Sequence, residues 1–232
     1  SSLIFYTMFY RCLFFLFFLC LLNSSSIEAQ KVSVVPIEGI IDLGLGPFVR
    51  RIISEAEKNN SQAVIFKINT LGGRLDAAVQ IKDAILKCQL KTIAFIDKRA
   101  ISAGALISLA ADLIIMSQGA SIGAATPVDL QGRKLSEKQI SYMRAEMRAT
   151  AEKNNRPIKI AEAMVDENID IKGVTSKGQL LTLTTNEALK LKIADYQAEN
   201  LQEVLKILKL PEATLIFTSP NWAERIVRFL SH

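Results

Sequence analysis

The chain has 232 residues, of which 50% are hydrophobic and 22% are charged, and its formal net charge is +5 at pH 7. This length suits one globular domain with a sizeable core and argues against three domains. The basic residues are scattered along the chain instead of being massed in one block, which argues against nucleic-acid binding. The single histidine is His232, and Cys88 is the only cysteine after residue 20. The chain after residue 20 therefore offers no histidine-based zinc site, no cysteine metal cluster and no internal disulfide.

Residues 1–29 have the pattern of a secretory signal peptide. Arg11 precedes an unbroken apolar run, and a short polar stretch then leads to Ile27-Glu28-Ala29, an imperfect small-residue cleavage site. A retained membrane anchor is the alternative, because residues 3–10 extend the apolar run towards the length of a membrane span. Both interpretations predict that the rest of the chain is exported or tethered to a membrane.

From residue 31 onward the sequence alternates between strand-like and helix-like segments. Strands are predicted over residues 32–37, 63–69, 92–96 and 113–116. Helices are predicted around residues 48–56 and 77–85, and over residues 102–111, 136–154, 158–165, 186–191, 201–208 and 222–230. Residues 121–125 are small and apolar, which indicates a close approach of the backbone to another segment. The alternation predicts an α/β fold with β-α units around a mainly parallel sheet.

The stretch from Arg99 to Leu106 carries the first candidate for chemistry. The pattern predicts a buried strand ending at Ile96, a short loop, and a packed helix that begins at Ser102. The Ser102 hydroxyl would then lie at a helix N-terminus, where free N–H groups and the positive end of the dipole favour developing negative charge. The simpler interpretation is that Ser102 only caps the helix, since serine is a preferred N-cap residue.

Two further features bear on that serine. Gly72-Gly73 directly follow a buried strand, and consecutive glycines allow backbone N–H groups to face a cleft, as in an oxyanion hole. A plain strand-to-helix turn explains the glycine pair as well, and Ala103 offers a second N–H. Because the one histidine is the last residue of the sequence, a base would have to be a lysine in its neutral form. Lys134 and Lys138 are the candidates, although most lysines at a helix start are solvated surface groups.

Several motifs combine into a known pattern. After the exported signal come Asn69-Thr70-Leu71-Gly72-Gly73-Arg74, Ile101-Ser102-Ala103-Gly104-Ala105, Ser121-Ile122-Gly123-Ala124 and Glu137-Lys138. In this order they resemble the N-terminal protease domain of the NfeD family of membrane-bound serine proteases, part of the ClpP/crotonase superfamily. The resemblance covers about residues 32–208 and implies a ClpP-like fold of stacked β-β-α units. Leu71 stands where the family usually has proline, so we expect a softer turn with the site retained.

The resemblance also implies roles for individual residues. It implies peptide-bond hydrolysis by a Ser-Lys dyad, with Ser102 as the nucleophile, Lys138 as the base and Lys134 as the fallback. The backbone N–H groups of Gly73 and Ala103 would form the oxyanion hole. The residues expected to contact substrate are Gly72 and Leu71. Neither a metal nor a cofactor is implied.

The resemblance extends to substrate, assembly and location. It implies hydrophobic peptide substrates, including the tails of stomatin-like membrane proteins, and a homodimer or higher oligomer. The full-length protein would be tethered at the extracytoplasmic face of the membrane. We predict a signal peptide or anchor at 1–29, a ClpP-like domain at 30–210 and an amphipathic segment at 211–232 that leads to a transmembrane region.

Three other functions are compatible with parts of the pattern. A signal-peptide-peptidase-A-type protease has the same dyad and degrades cleaved signal peptides. A catalytically silent scaffold would bind membrane-domain proteins such as stomatins. A crotonase-type acyl-CoA enzyme shares the fold class, but CoA is not an expected ligand of an exported protein.

Overall fold

The computed structural model describes residues 30–129 and 131–230, so the predicted signal peptide or anchor lies outside the described residues. The strands are β1 (Lys31–Ile41), β2 (Ala63–Gly73), β3 (Lys91–Ile101), β4 (Leu113–Met116), β5 (Ser121–Gly123), β6 (Thr182–Thr184), β7 (Tyr196–Gln197) and β8 (Thr214–Phe217). The helices are α1 (Leu45–Lys58), α2 (Leu75–Lys87), α3 (Ala103–Leu109), α4 (Glu137–Lys153), α5 (Ile158–Ala163), α6 (Thr185–Lys190), α7 (Leu201–Ile207) and α8 (Trp222–Leu230).

All the described strands belong to one sheet that forks at β3. The main order is β6-β5-β3-β2-β1-β8, while β4 pairs with β3 and β7 pairs with β4. β4 lies beside residues 93–96 of β3 and β5 beside residues 99–101, so the two halves of β3 have different neighbours. Of the described strand pairs, β5–β6 alone is antiparallel. The predicted α/β fold with a mainly parallel sheet is confirmed.

The central strands are buried on both faces, as their apolar runs predict for a parallel sheet. Alternate residues of β2 face different hydrophobic clusters. Val64, Phe66 and Ile68 belong to a large cluster with residues of α1 to α6. Ala63 and Ile65 belong to a smaller cluster that includes residues of α7. The sheet therefore lies as a layer between two hydrophobic clusters.

The three central strands are longer than predicted, and this corrects two expected loops. The segment Thr70-Leu71-Gly72-Gly73, expected as a turn, is the last part of β2, because Ile41 of β1 pairs with Gly73. The loop expected between Ile96 and Ser102 is absent, because β3 continues to Ile101 beside β5. In both places a neighbouring strand accepts and donates the backbone hydrogen bonds that a loop would have left to water.

Smaller differences concern the second half of the chain. The helix predicted over 158–165 ends at Ala163, and residues 182–184 form a strand, β6. β7 and β8 were not predicted. β8 pairs in parallel with residues 31–34 of β1, so residues beyond the expected domain limit at 210 contribute to the sheet edge. None of the helices within the described ranges has the length and hydrophobicity of a membrane span.

The C-terminal helix α8 is fixed to α1 by an ion pair. The Arg51 guanidinium donates from Nε and Nη2 to the two carboxylate oxygens of Glu224, each at 2.8 Å. Asn221 caps α8, since its side chain accepts from the Glu224 N–H and its own N–H donates to the Glu224 carboxylate. Both partners hold the carboxylate in its charged form, so the hydrogen bond from Arg51 lowers the pKa of Glu224 below its ordinary value.

We expect this ion pair to control the attachment of α8. A carboxylate with a lowered pKa stabilises the folded state above its unfolded-state pKa, and that stability is lost as the pH falls through the folded-state pKa. Glu224→Gln should weaken attachment at neutral pH by about 1.5–3 kcal/mol, the usual value of hydrogen bonds to a charged group. Trp222, the single tryptophan of the chain, is exposed at the start of α8 and reports the release as a fall in fluorescence anisotropy.

The matched control is Glu55→Gln, which removes the exposed neighbouring partner of Arg51 and leaves the Glu224 pair intact. Acidification should lower the anisotropy of the wild-type protein and of the control, while Glu224→Gln should be low already at neutral pH. Anisotropy of Glu224→Gln equal to that of the wild type at neutral pH would contradict the assignment.

Candidate active site

Ser102 joins β3 to α3 in an unusual backbone conformation. Its φ is 56° and its ψ is −119°, a region that non-glycine residues rarely adopt and that is costly without a tightly packed surround. The Ser102 N–H donates to the carbonyl of Gly123 in β5 at 2.9 Å, and the Ser102 carbonyl accepts from the Ala105 N–H at 2.9 Å. The hydroxyl makes no capping hydrogen bond. The simpler N-cap interpretation therefore does not explain this side chain, which is half-buried.

Gly72 lies directly against the side chain of Ser102. A Cβ added at Gly72 would lie 2.6 Å from Ser102 Cβ and 3.1 Å from Ser102 Oγ, and the φ of Gly72 is +113°. Thr70 holds this part of β2 in place, because its hydroxyl accepts from the Gly72 N–H at 2.9 Å and donates to the Gly39 carbonyl. Gly104 allows α3 to approach as closely, since a Cβ there would lie 2.6 Å from Thr70 Cγ2.

The N–H groups of Gly73 and Ala103, the predicted oxyanion-hole donors, lie at the end of β2 and at the start of α3. Ile41 pairs with Gly73, and the carbonyl of Ile41 accepts from the Arg74 N–H at 2.8 Å. In a parallel ladder a residue bonds to the neighbours of its partner, so the Gly73 N–H is directed away from β1, towards the edge of β3. Ala103 is the first residue of α3, and the N–H of a first helical residue has no partner within its helix. Ala103 directly follows Ser102, and Gly73 directly follows Gly72, which lies against the Ser102 side chain.

A groove opens beside Gly72 because neighbouring strands have unequal numbers of residues there. Between the pairs Ile68–Ile96 and Thr70–Ala100, β2 has one residue and β3 has three, Asp97 to Arg99. One step further, Gly39 of β1 lies opposite two residues of β2, Thr70 and Leu71. Such bulges leave residues unpaired and bend the strands. A groove with a volume of about 340 Å³ lies at this irregular part of the sheet.

The groove is lined by residues of these bulges and their neighbours: Gly39, Ile40, Asn69, Thr70, Leu71, Gly72, Lys98 and Arg99. Two of its apolar side chains are largely open to solvent, Leu71 at 70% and Ile40 at 54%. The two residues predicted to contact substrate, Gly72 and Leu71, are thus both part of its wall. Sequence patterns did not indicate the groove, because its cause is the register between strands.

The structure does not bring either candidate lysine into contact with Ser102. Lys134 is exposed and its ammonium lies 2.6 Å from Glu167, in an ion pair. Lys138 is the second residue of α4 and is also exposed, and in the described part of the chain no hydrogen bond or ion pair involves its ammonium. Of the two candidates, Lys138 is the one whose amine is not already engaged.

The segment that leads from β5 to α4 sets the position of Lys138. Its first part is tightly held: a Cβ added at Gly123 would lie 2.5 Å from the carbonyl oxygen of Leu181, which confirms the predicted close backbone approach. Its second part is an exposed hairpin with a single bridge between Val128 and Lys134. Within residues 30–129 and 131–230, no group of three or more histidine, cysteine, aspartate or glutamate side chains could hold a metal ion.

Comparison with known sequences places most of the chain in one family. Residues 31–218 match the family model described as NfeD1b, N-terminal domain. The chain is 38% identical over 206 residues to the membrane protein NfeD1b of Bacillus subtilis, and 30% identical over 204 residues to the membrane-bound protease PH1510 of Pyrococcus horikoshii. These alignments cover 88% and 84% of this chain but 47% and 44% of the relatives. The chain therefore spans about half the length of the curated relatives it matches.

Solved structures share the fold. The 1510-N membrane-bound stomatin-specific protease, in a lysine-to-alanine mutant with a substrate peptide, gives a TM-score of 0.75 at 25% identity over 88% of this chain and 99% of that chain. A serine-to-alanine mutant of 1510-N gives 0.71 at 26% identity over 84% and 100%. ClpP1 from Listeria monocytogenes gives 0.57 at 22% identity over 72% and 91%, a likeness of fold alone. The expected ClpP-like fold is confirmed.

Proposed function

The chain belongs to the NfeD1b N-terminal-domain family, and on this basis we propose that it is a serine endopeptidase in which Ser102 is the nucleophile. Its protease relatives support a protease. The observation that carries the proposal is the strained Ser102 at the start of α3, with its hydroxyl free of any cap and Gly72 pressed against it. Strained backbone of this kind clusters at active sites, where it presents a reactive side chain.

The proposed reaction begins when the Ser102 hydroxyl attacks a peptide carbonyl. Lys138, as the neutral amine, takes the hydroxyl proton and later gives it to the leaving amine. The N–H groups of Gly73 and Ala103 hold the negative oxygen of the tetrahedral intermediate, each contributing about 3 kcal/mol on the precedent of other oxyanion holes. Water then hydrolyses the acyl-enzyme on Ser102.

Lys138 must move for this reaction, because its side chain is exposed in the isolated chain. We propose that a bound peptide covers the space beside α4, excludes water and brings the amine to the Ser102 hydroxyl. Catalytic hydrogen bonds that are long or poorly aligned in a free enzyme often tighten in its complex with substrate. The flexible lysine stem and its place in the first turn of α4, beside an exposed hairpin, support this movement.

For substrate and location we propose the properties of the related proteases. The substrates are apolar segments of stomatin-like membrane proteins, since the 1510-N protease is specific for a stomatin homologue. The full-length protein acts at the extracytoplasmic face of the membrane, as a homodimer or higher oligomer. The exposed apolar side chains Leu71 and Ile40 in the groove beside Gly72 support an apolar substrate.

The direct test is covalent labelling. A fluorophosphonate should label the protein at Ser102, identified by mass spectrometry of the modified peptide, and should stop cleavage of an apolar peptide in the same preparation. Labelling at another serine, with cleavage unaffected, would overturn the choice of nucleophile.

Gly72→Ala tests whether the contact between β2 and the serine matters for activity. The new Cβ has to displace Ser102, so we expect a loss of at least about 100-fold in kcat/KM, in line with small misplacements of reacting groups. Gly119→Ala is the control, because Gly119 also has a positive φ, +76°, but nothing within 4 Å of an added Cβ. Gly119→Ala should lose about 1–2 kcal/mol of stability from the strained backbone, and Gly72→Ala should lose more, because its Cβ also meets Ser102.

The outcome is read from kcat/KM and from thermal unfolding of the two variants. Equal loss of activity in both would mean that backbone strain alone, and not displacement of Ser102, explains the effect.

A catalytically silent scaffold is the second candidate, and one observation favours it: Lys138 has no contact with Ser102 in the described chain. A scaffold would bind stomatin-like proteins without labelling by the fluorophosphonate. Labelling together with cleavage excludes this function.

A further inference from the structure

The groove beside Gly72 is lined by two cations that have no partner among the described residues. Lys98 and Arg99 are the charged residues among those that line it, and both are exposed. In the described part of the chain neither side chain makes a hydrogen bond or an ion pair. A third cation nearby is already neutralised, because the Lys67 ammonium lies 3.2 Å from Glu38 and 3.6 Å from Asp97. The adjacent acidic groups are therefore engaged with Lys67, and the groove keeps an excess of positive charge.

The strand bulge is what places these cations in the groove. Asp97, Lys98 and Arg99 lie opposite the single residue Asn69, so the regular pairing of β3 with β2 is interrupted at this point. In an evenly paired strand, successive side chains point to opposite faces of the sheet. The bulge suspends that alternation and lets two successive cations border the same space.

Apolar groups share this space with the cations. Leu71 and Ile40 expose most of their side chains at the same groove. A ligand that suits both features combines an apolar side chain with a negative charge. Because Gly72 joins the groove to Ser102, the ligand that would meet these residues is the peptide substrate.

We propose that Lys98 and Arg99 select substrates in which a carboxylate accompanies the apolar segment. This inference rests on the proposed protease function and specifies its substrate class. Arginine pairs with a carboxylate through two parallel hydrogen bonds, and lysine adds a second positive charge at the same place. The carboxylate is either an aspartate or glutamate side chain or the C-terminal carboxylate of the peptide, since both offer the same chemistry.

The test uses matched apolar peptides that differ at one position. Glutamate, glutamine or lysine is placed at successive positions on each side of the scissile bond, and a second set compares a free with an amidated C-terminus. At one position, or at the C-terminus, the carboxylate should raise kcat/KM about fivefold over its neutral partner, the upper range for an exposed ion pair. The preference should fall as salt is added, because salt screens exposed charges.

Variants connect the preference to the two cations. In the double variant Lys98→Gln, Arg99→Gln the ratio of the glutamate rate to the glutamine rate should fall to about one. With Lys98→Glu, Arg99→Glu the lysine peptide should become the preferred substrate. Lys91→Gln is the matched control, because Lys91 is an exposed cation at the opposite end of β3; it should keep the wild-type ratio.

The result separates this inference from the proposed function. Cleavage of the glutamine peptides by the wild-type protein establishes proteolysis without any help from the carboxylate. If no peptide is cleaved, the proposed function fails, and the preference is read from the binding of fluorescent glutamate and glutamine peptides to the full chain. The inference is overturned by equal rates or affinities for all matched pairs, or by a preference that survives replacement of Lys98 and Arg99.

Discussion

Replacing Ser102 with alanine is expected to lower kcat/KM for an apolar peptide by about 10⁵- to 10⁶-fold, the loss seen when a serine protease loses its nucleophile. The fold should survive, because the Ser102 hydroxyl makes no cap and the contacts that hold this residue come from its backbone. We expect the free energy of unfolding to change by less than about 0.5 kcal/mol. Activity is measured with the apolar peptide, and stability by chemical denaturation.

Ser108→Ala is the control for this substitution. Ser108 lies in the same helix, and its buried hydroxyl donates to the Gly104 carbonyl at 2.7 Å. It faces the helix backbone, so its removal should leave cleavage within a few-fold of the wild type, by the general precedent for sites away from the chemistry. Full activity of Ser102→Ala would show that Ser102 is not the nucleophile.

Lys138→Ala is expected to lower kcat by about 10²- to 10⁴-fold, the usual contribution of a general base. Lys134→Ala should change it little and cost at most about 1 kcal/mol of stability, because the exposed pair with Glu167 is a surface salt bridge. The two variants separate the candidate bases. The two lysines are four positions apart in the sequence, and Lys134 is paired with Glu167.

Lys138→Arg then distinguishes a base from a fixed positive charge. Arginine keeps the charge and nearly the length of lysine, but its guanidinium does not give up a proton in proteins. We expect Lys138→Arg to be as inactive as Lys138→Ala. Wild-type activity in Lys138→Arg would show that the positive charge alone is used, and a large loss in Lys134→Ala would transfer the role of base to Lys134.

Hydrogen exchange tests the movement proposed for Lys138. If a peptide brings Lys138 to Ser102, binding of a peptide to Ser102→Ala should protect the first turn of α4 from hydrogen exchange. Local opening of a helix end is suppressed when its side chains become ordered by a ligand. Absence of protection in α4 during saturating peptide binding would contradict the proposed movement.

The sequence by itself determined the order and kind of most elements. β1 to β4 and the helices α1 to α4 follow from apolar runs and from apolar residues at helical spacing, which are local properties of the chain. The motifs around Gly72, Ser102 and Lys138 were enough to identify the family. The small residues at 121–125 predicted a close backbone approach, and Gly123 packs against Leu181.

Only the tertiary structure decided where the strands end and where a groove lies between them. Local propensity treats Gly72-Gly73 and Arg99 to Ile101 as loops, but pairing with β1 and β5 extends both strands. The groove depends on unequal residue numbers between pairs of strands, a property that no single segment possesses. β8 is short and joins the sheet through β1, about 180 positions earlier in the chain.

The conformation of Ser102 has the same origin. Its sequence neighbours predict a helix start, and a helix start does occur, but the positive φ is imposed by contacts from distant segments. The Gly123 carbonyl holds its N–H, and Gly72 leaves room for its side chain. The pattern of apolar residues predicts each helix or strand, because those residues are buried away from water. The site depends instead on the register in which the strands pair, which no local pattern contains.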